Sequence, residues 1–184
     1  AGVRLIRDAA IVLPDAGRFA WRATRTRDRV TLSGFTSADE HAPVLSHNDA
    51  NPTNMVYDGT DLLLLDWDTA GPMHPYYDLA VISMFLRMSD DACCRLLSTY
   101  AGEPVAEQPE SFRHFRRLGA VLCGAMSVRL ACLAGHAGDA AATLEATPSL
   151  GDFYQRMRAG AVNLASGAGQ WQFGLALIKE SASL

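Results

Sequence analysis

Four side chains between residues 47 and 66 could do chemistry together: His47, Asp49, Asn54 and Asp66. The first three fall in the order H-x-D-x-x-x-x-N, and Asp66 follows four consecutive leucines. Two carboxylates and an amide oxygen make an oxygen-rich donor set. Hard Mg²⁺ prefers such a set when phosphate oxygens and water complete its octahedron. A carboxylate that does not hold metal can instead orient or deprotonate a hydroxyl. One loop and one strand end therefore supply a base, an amide ligand and a carboxylate ligand. Singly, each residue is as well explained as the cap of a turn. The four in this order point to chemistry.

Such groups need rigid elements to hold them. Residues 43–46 predict a short extended entry to the His47 loop, which Pro52 stiffens. Residues 55–57 and 62–65, around Asp58-Gly59, predict a hairpin of two apolar strands. The four leucines lack alternation, so their strand is expected to be buried on both faces and to deliver Asp66 from its end. Gly71-Pro72 and His74-Pro75 predict a turn, and from Tyr77 onward the sequence reads as helical. Helices are expected over 77–88, 90–102, 110–133, 150–163 and 170–182, with a Gly-rich joint at 167–169. The 110–133 helix is nearly apolar all round from Leu118 and should be central. Arg129 within it needs an acidic partner or a route to water. Toward the N-terminus, residues 1–13 read as helix or strand and 14–17 as a break. The five arginines from Arg18 to Arg29 read as a solvated helix face, and Ser33-Gly34 and residues 37–40 as loop.

Bulk composition narrows the partners. The 184 residues suffice for one domain with a real core, and a net charge of −4 argues against nucleic acid. No apolar run is long enough to cross a bilayer, and no signal-peptide pattern opens the chain; a cytoplasmic location is expected. Cys93, Cys94, Cys123 and Cys132 lack metal-ligand spacing and are read as reduced thiols.

The central stretch resembles the kinase-like phosphotransferases that act on small molecules, the aminoglycoside phosphotransferase and choline/ethanolamine kinase families. His47-Asn48-Asp49 with Asn54 is similar to their catalytic loop, Leu65-Asp66-Trp67-Asp68 to the segment that replaces D-F-G, and Tyr77-Asp78-Leu79-Ala80 to the downstream D-[LI]-A element. The resemblance implies an α+β, mostly helical fold: a kinase-like C-terminal lobe with a small β-hairpin carrying the catalytic and metal-binding loops. It implies ATP as co-substrate and Mg²⁺ as cofactor. Asp49 would be the base, with His47 bracing its loop and Asp78 anchoring that loop from the next helix. Asn54 and Asp66 would hold Mg²⁺ on the nucleotide. Asp68, Trp67, Tyr76 and Tyr77 are candidate substrate contacts.

The chain also departs from that pattern. A kinase of this type uses a strand lysine and a Gly-rich loop ahead of the catalytic loop, whereas the only lysine here is Lys179. Residues 1–184 are therefore expected to form a single C-terminal lobe without the N-terminal nucleotide lobe, and to be inactive alone. The acceptor is expected to be a small hydroxylated compound, amino alcohols included. H-N-D and Pro-Tyr-Tyr-Asp lean toward choline, ethanolamine or thiamine kinases, whose ammonium substrates favour aromatic walls. Trp67, Tyr76, Tyr77, Phe153, Tyr154 and Trp171 could supply such walls. Against choline, the long helix carries Gly124, Ala125 and Met126 where choline kinases carry tryptophans. Two alternatives belong to other classes: a non-catalytic pseudokinase or interaction module, and a metal-dependent phosphohydrolase.

Overall fold

The computed structural model describes the backbone of residues 19–26 and 29–36, and residues 41–139 and 144–184 with their side chains. The first described elements correct the sequence reading. Phe19–Thr26 (β1) and Arg29–Thr36 (β2) pair antiparallel, Phe19 opposite Thr36 and Thr26 opposite Arg29, where a solvated helix and a loop were expected. Arginine density had masked a strand composition in which Val30 and Leu32 alternate with threonine and serine. The readings of residues 1–18 and 37–40 lie outside the described residues.

Val44–Ser46 (β3) enters the loop that begins at His47, as the sequence suggests. Its partner was not foreseen: Gly71–Met73 (β6), expected as a turn, pairs antiparallel with it. Pro72 fits there because it need donate no ladder bond at the edge of a two-stranded sheet. Met55–Tyr57 (β4) and Leu62–Leu64 (β5) form the expected hairpin, closed at its tip by Asp58 Oδ1, which accepts from the N–H groups of Thr60 and Asp61. The leucines are not buried on both faces. Leu62, Leu63 and Leu65 are about half exposed, as are Val56 and Trp67.

The remainder is helical: Tyr77–Phe85 (α1), Asp90–Ala101 (α2), Glu110–Leu133 (α3), Leu150–Arg158 (α4) and Gly167–Glu180 (α5). Ser89, Ser149 and Ser166 cap α2, α4 and α5, each hydroxyl accepting an orphan N–H of the first turn. The Gly-rich joint is thus the opening turn of α5. Helix α1 stops three residues earlier than its pattern suggests, with Arg87 left-handed at φ 51°. Arg129 is exposed and has its route to water.

Helix α3 is central, as its apolar run implies. Its first half packs on α1 and α2 through Tyr77, Val81, Leu97, Phe112, Phe115 and Leu118. Its second half packs on α4 and α5, around Met84, Ala120, Phe153 and Leu177. The α3–α5 crossing depends on glycine. A methyl group at Gly124 would lie 2.7 Å from the Gly174 carbonyl oxygen, and one at Gly174 would lie 2.6 Å from that of Gly124. The two backbones touch because neither residue carries a side chain. This frame holds α1, and Asp78 of α1 holds the loop that begins at His47.

Candidate active site

The loop after β3 is fixed from two sides. Asp78, in the first turn of α1, accepts the N–H of His47 at 2.6 Å on one carboxylate oxygen and that of Asn48 at 2.9 Å on the other. A carboxylate is favoured there by the exposed N–H groups of the helix start. From the other side, Thr69 Oγ1 donates to the His47 carbonyl at 2.9 Å, and Asn48 Nδ2 donates to the Thr69 carbonyl at 3.0 Å. Asn48 itself is left-handed at φ 65°, a conformation that asparagine tolerates better than most residues. Asp49 is the next residue, so its position follows from these bonds.

His47 is buried at 2% exposure and ties the loop to the strand end that carries Asp66. Its Nδ1 accepts the Asp49 N–H at 3.3 Å, which leaves Nε2–H to donate to the Leu65 carbonyl at 2.7 Å. The edge of Trp67 closes over the ring, with centroids 4.7 Å apart.

The Asp49 carboxylate is half-buried and held on both oxygens: Asn51 Nδ2 donates to Oδ1 at 2.8 Å and Asn54 Nδ2 to Oδ2 at 2.9 Å. Asn54 Nδ2 also reaches the Asp49 carbonyl at 3.1 Å. Because the amide nitrogen faces Asp49, Oδ1 of Asn54 is left for another donor or a cation. The Leu65 N–H donates to the Asn54 carbonyl at 2.8 Å, one rung beyond the β4–β5 ladder, and so brings Asn54 and Asp66 to the same end of the hairpin.

Asp66 is exposed and accepts no hydrogen bond from another described residue. Its backbone is left-handed (φ 61°, ψ 70°), a conformation that aspartate, like asparagine, adopts more readily than most residues but still at some cost. A free amide oxygen and a partner-free carboxylate, both open to solvent, suit a hard divalent cation that keeps water or phosphate oxygens. Among the described residues no group of three His, Cys, Asp or Glu side chains could hold a metal by itself. An ion here would need ligands from a substrate.

The other predicted residues are distributed unevenly around this centre. Trp67 lies on the turn after Asp66, half exposed, with Nε1 donating to the Leu64 carbonyl at 3.0 Å. Asp68 is exposed on the same turn. Tyr76 is half-buried among His74, Tyr100 and Phe112, whereas Tyr77 is buried edge-on to Phe115. Phe153 is fully enclosed in the second core and offers no open face to a ligand; Trp171 stacks on His136. Burial pushes the Tyr77 phenol above its usual range, and the nearby Cys123, Asp78 and Asp49 add to the rise. Burial and then Asp49 raise the Cys123 thiol to about 11. Both groups stay protonated at neutral pH.

Sequence reasoning missed Asn48, Asn51 and Thr69. Only Asn51 carried a local signal: an asparagine before proline caps the next turn, and here Oδ1 accepts the Thr53 N–H at 2.9 Å. A family model described as the phosphotransferase enzyme family (APH) matches residues 5–101, just over half of the chain. No curated protein and no solved structure matches.

Proposed function

The chain belongs to the phosphotransferase enzyme family, and we propose that it carries the acceptor-activating and metal-binding half of an ATP-dependent small-molecule kinase. Asp49 is the base. It takes the proton of the acceptor hydroxyl as that oxygen bonds to the terminal phosphorus of ATP and the bond to the ADP oxygen breaks. Asn54 Oδ1 and Asp66 are the protein ligands for Mg²⁺, which when bound neutralises charge on the phosphates. His47 and Asp78 position the loop through the hydrogen bonds above. The acceptor is a hydroxylated small molecule of the kind that choline, ethanolamine, thiamine or aminoglycoside kinases use.

One observation carries this reading. A single amide, Asn54, holds the base with its nitrogen and leaves its oxygen free at the hairpin end where Asp66 is also free. The hydrogen bond that holds Asp49 through Asn54 supports reading base and amide ligand as one positioned set, as positioning catalysis requires.

Lys179 does not serve the phosphates. Its Nζ donates to the carbonyls of Glu145 and Thr147 at 3.2 and 2.6 Å and so secures the segment before α4. Residues 1–184 with Mg-ATP and an alcohol should therefore show negligible turnover, and robust turnover would overturn this part of the proposal. A metal-dependent phosphohydrolase is the second reading, and the described residues contain no group of three His, Cys, Asp or Glu side chains of the kind a two-metal site would need. Calorimetric titration separates the two. With the heat of Mg²⁺ binding to ATP alone subtracted, Mg²⁺ should bind the chain more tightly when ATP is present and lose that gain in Asp66→Ala. Tight Mg²⁺ binding indifferent to ATP would favour the hydrolase.

A further inference from the structure

Asn51 uses both ends of its amide. Its Oδ1 accepts the Thr53 N–H at 2.9 Å and the Thr53 hydroxyl, closing the turn at Pro52. A backbone N–H can only donate, so the amide oxygen is fixed on that side and the nitrogen faces the other way. There Nδ2 donates to Asp49 Oδ1 at 2.8 Å. The backbone draws the two residues together as well. The Asn51 N–H donates to the Asp49 carbonyl at 2.8 Å, and Ala50 between them is buried at 4% exposure. The turn needs only the oxygen, and aspartate closes such turns as asparagine does. Only the amide can also donate to a carboxylate.

A carboxylate gripped by one donor can still swing about that bond. Asp49 is gripped on both oxygens, Oδ1 by Asn51 and Oδ2 by Asn54 at 2.9 Å, and two donors on different oxygens fix its plane. Each oxygen has two lone-pair sites, so each keeps one for an acceptor hydroxyl. The two amides are not equivalent. Asn54 has its oxygen free at the hairpin end, whereas both ends of the Asn51 amide are engaged within the loop.

We infer that Asn51 is a positioning residue for Asp49: it holds the carboxylate plane in one orientation, with a lone pair left for the acceptor hydroxyl, before any ligand binds. This rests on the reading of Asp49 as base. It adds that the base is oriented in advance, as positioning catalysis requires.

The test is the side-chain rotamer of Asp49, read from NMR couplings of its Cγ to the backbone nitrogen and carbonyl carbon. The sample is the ligand-free 184-residue chain in mildly alkaline buffer. The wild type should show one χ1 rotamer. Asn51→Asp keeps the oxygen that closes the turn and puts a second carboxylate where the donor was. The Asp49 couplings should then average over two or more rotamers, while exchange of the Thr53 N–H stays as slow as in the wild type. A residue that only caps the turn would leave the couplings alone. Wild-type couplings retained in Asn51→Asp, or averaging already present in the wild type, overturn the inference. Averaging that comes with faster Thr53 exchange overturns it too, because the opened turn then accounts for it. Should Asn51→Asp fail to fold, the wild type decides. One Asn51 side-chain amide proton should lie downfield of those of exposed asparagines and return to their range in Asp49→Ala; an unshifted proton overturns the inference. No substrate is present in either measurement, so their failure removes Asn51 and leaves Asp49 as base. Failure of the base reading, in turn, leaves the couplings as described.

Discussion

Asp66 shows what a single residue gives up for its place. Its left-handed backbone costs some stability, while its exposed carboxylate is left to water and to any ligand. Asp66→Gly removes the strain and the ligand together. We predict a variant at least as stable as the wild type, by up to about 1 kcal/mol in urea unfolding, that has lost ATP-linked Mg²⁺ binding. A clear loss of stability would show that the Asp66 side chain has a structural partner. Asp49, Asn54 and Asp66 stand out in the sequence as candidates because the chemistry proposed for them admits few other residue types at that spacing. Asn48 does not, because an amide holding a loop and an amide facing solvent are identical in sequence, and the signal at Asn51, asparagine before proline, gives a turn cap but not its hold on Asp49. Only the fold shows where Asn51 Nδ2 points.

At the scale of elements, the His47–Asn54 loop borrows its rigidity from α1 and α1 borrows its own from α3. Asp78→Ala leaves two backbone amides without their charged acceptor and should cost about 2–3 kcal/mol in chemical denaturation. The loss should appear as faster hydrogen exchange at His47 and Asn48. Exchange that is unchanged would mean the loop is held from the β6 side alone. Gly124→Ala places a methyl group against the Gly174 carbonyl oxygen. It should lower stability by about 1–3 kcal/mol through overpacking, with Tm as the readout. The helices were legible because their apolar period and serine caps agree. The β1–β2 hairpin was not: its arginines suggest a charged helix face, while the alternation that makes β2 a strand spans only a few residues. The leucines of β5 gave the strand correctly and its burial wrongly, since periodicity says nothing of what covers a strand.

For the whole molecule, side chains of the helical frame contribute to stability alongside the anchors of the Asp49 loop. Lys179 secures the segment before α4 and His114 sits buried in α3. Burial, then repulsion from Arg117, lowers the His114 pKa from 6.5 to about 4. Between those values the unfolded chain takes up a proton that the native chain refuses, so stability falls as pH drops from about 6.5 to 4 and levels below. The loss from this group is at most roughly 3 kcal/mol, and His114→Gln should flatten the profile in that window. A profile identical in the variant would assign the acid sensitivity elsewhere.

The central claim is that base and metal ligands meet at the end of the β4–β5 hairpin. Mn²⁺ in place of Mg²⁺ reports this directly, because its unpaired electrons broaden the NMR signals of nearby nuclei. In the presence of ATP, the amide signals of Asp49, Asn54, Leu65 and Asp66 should broaden first, and in Asp66→Ala they should remain sharp. Broadening centred elsewhere, or broadening at these residues that persists without Asp66, would contradict the account.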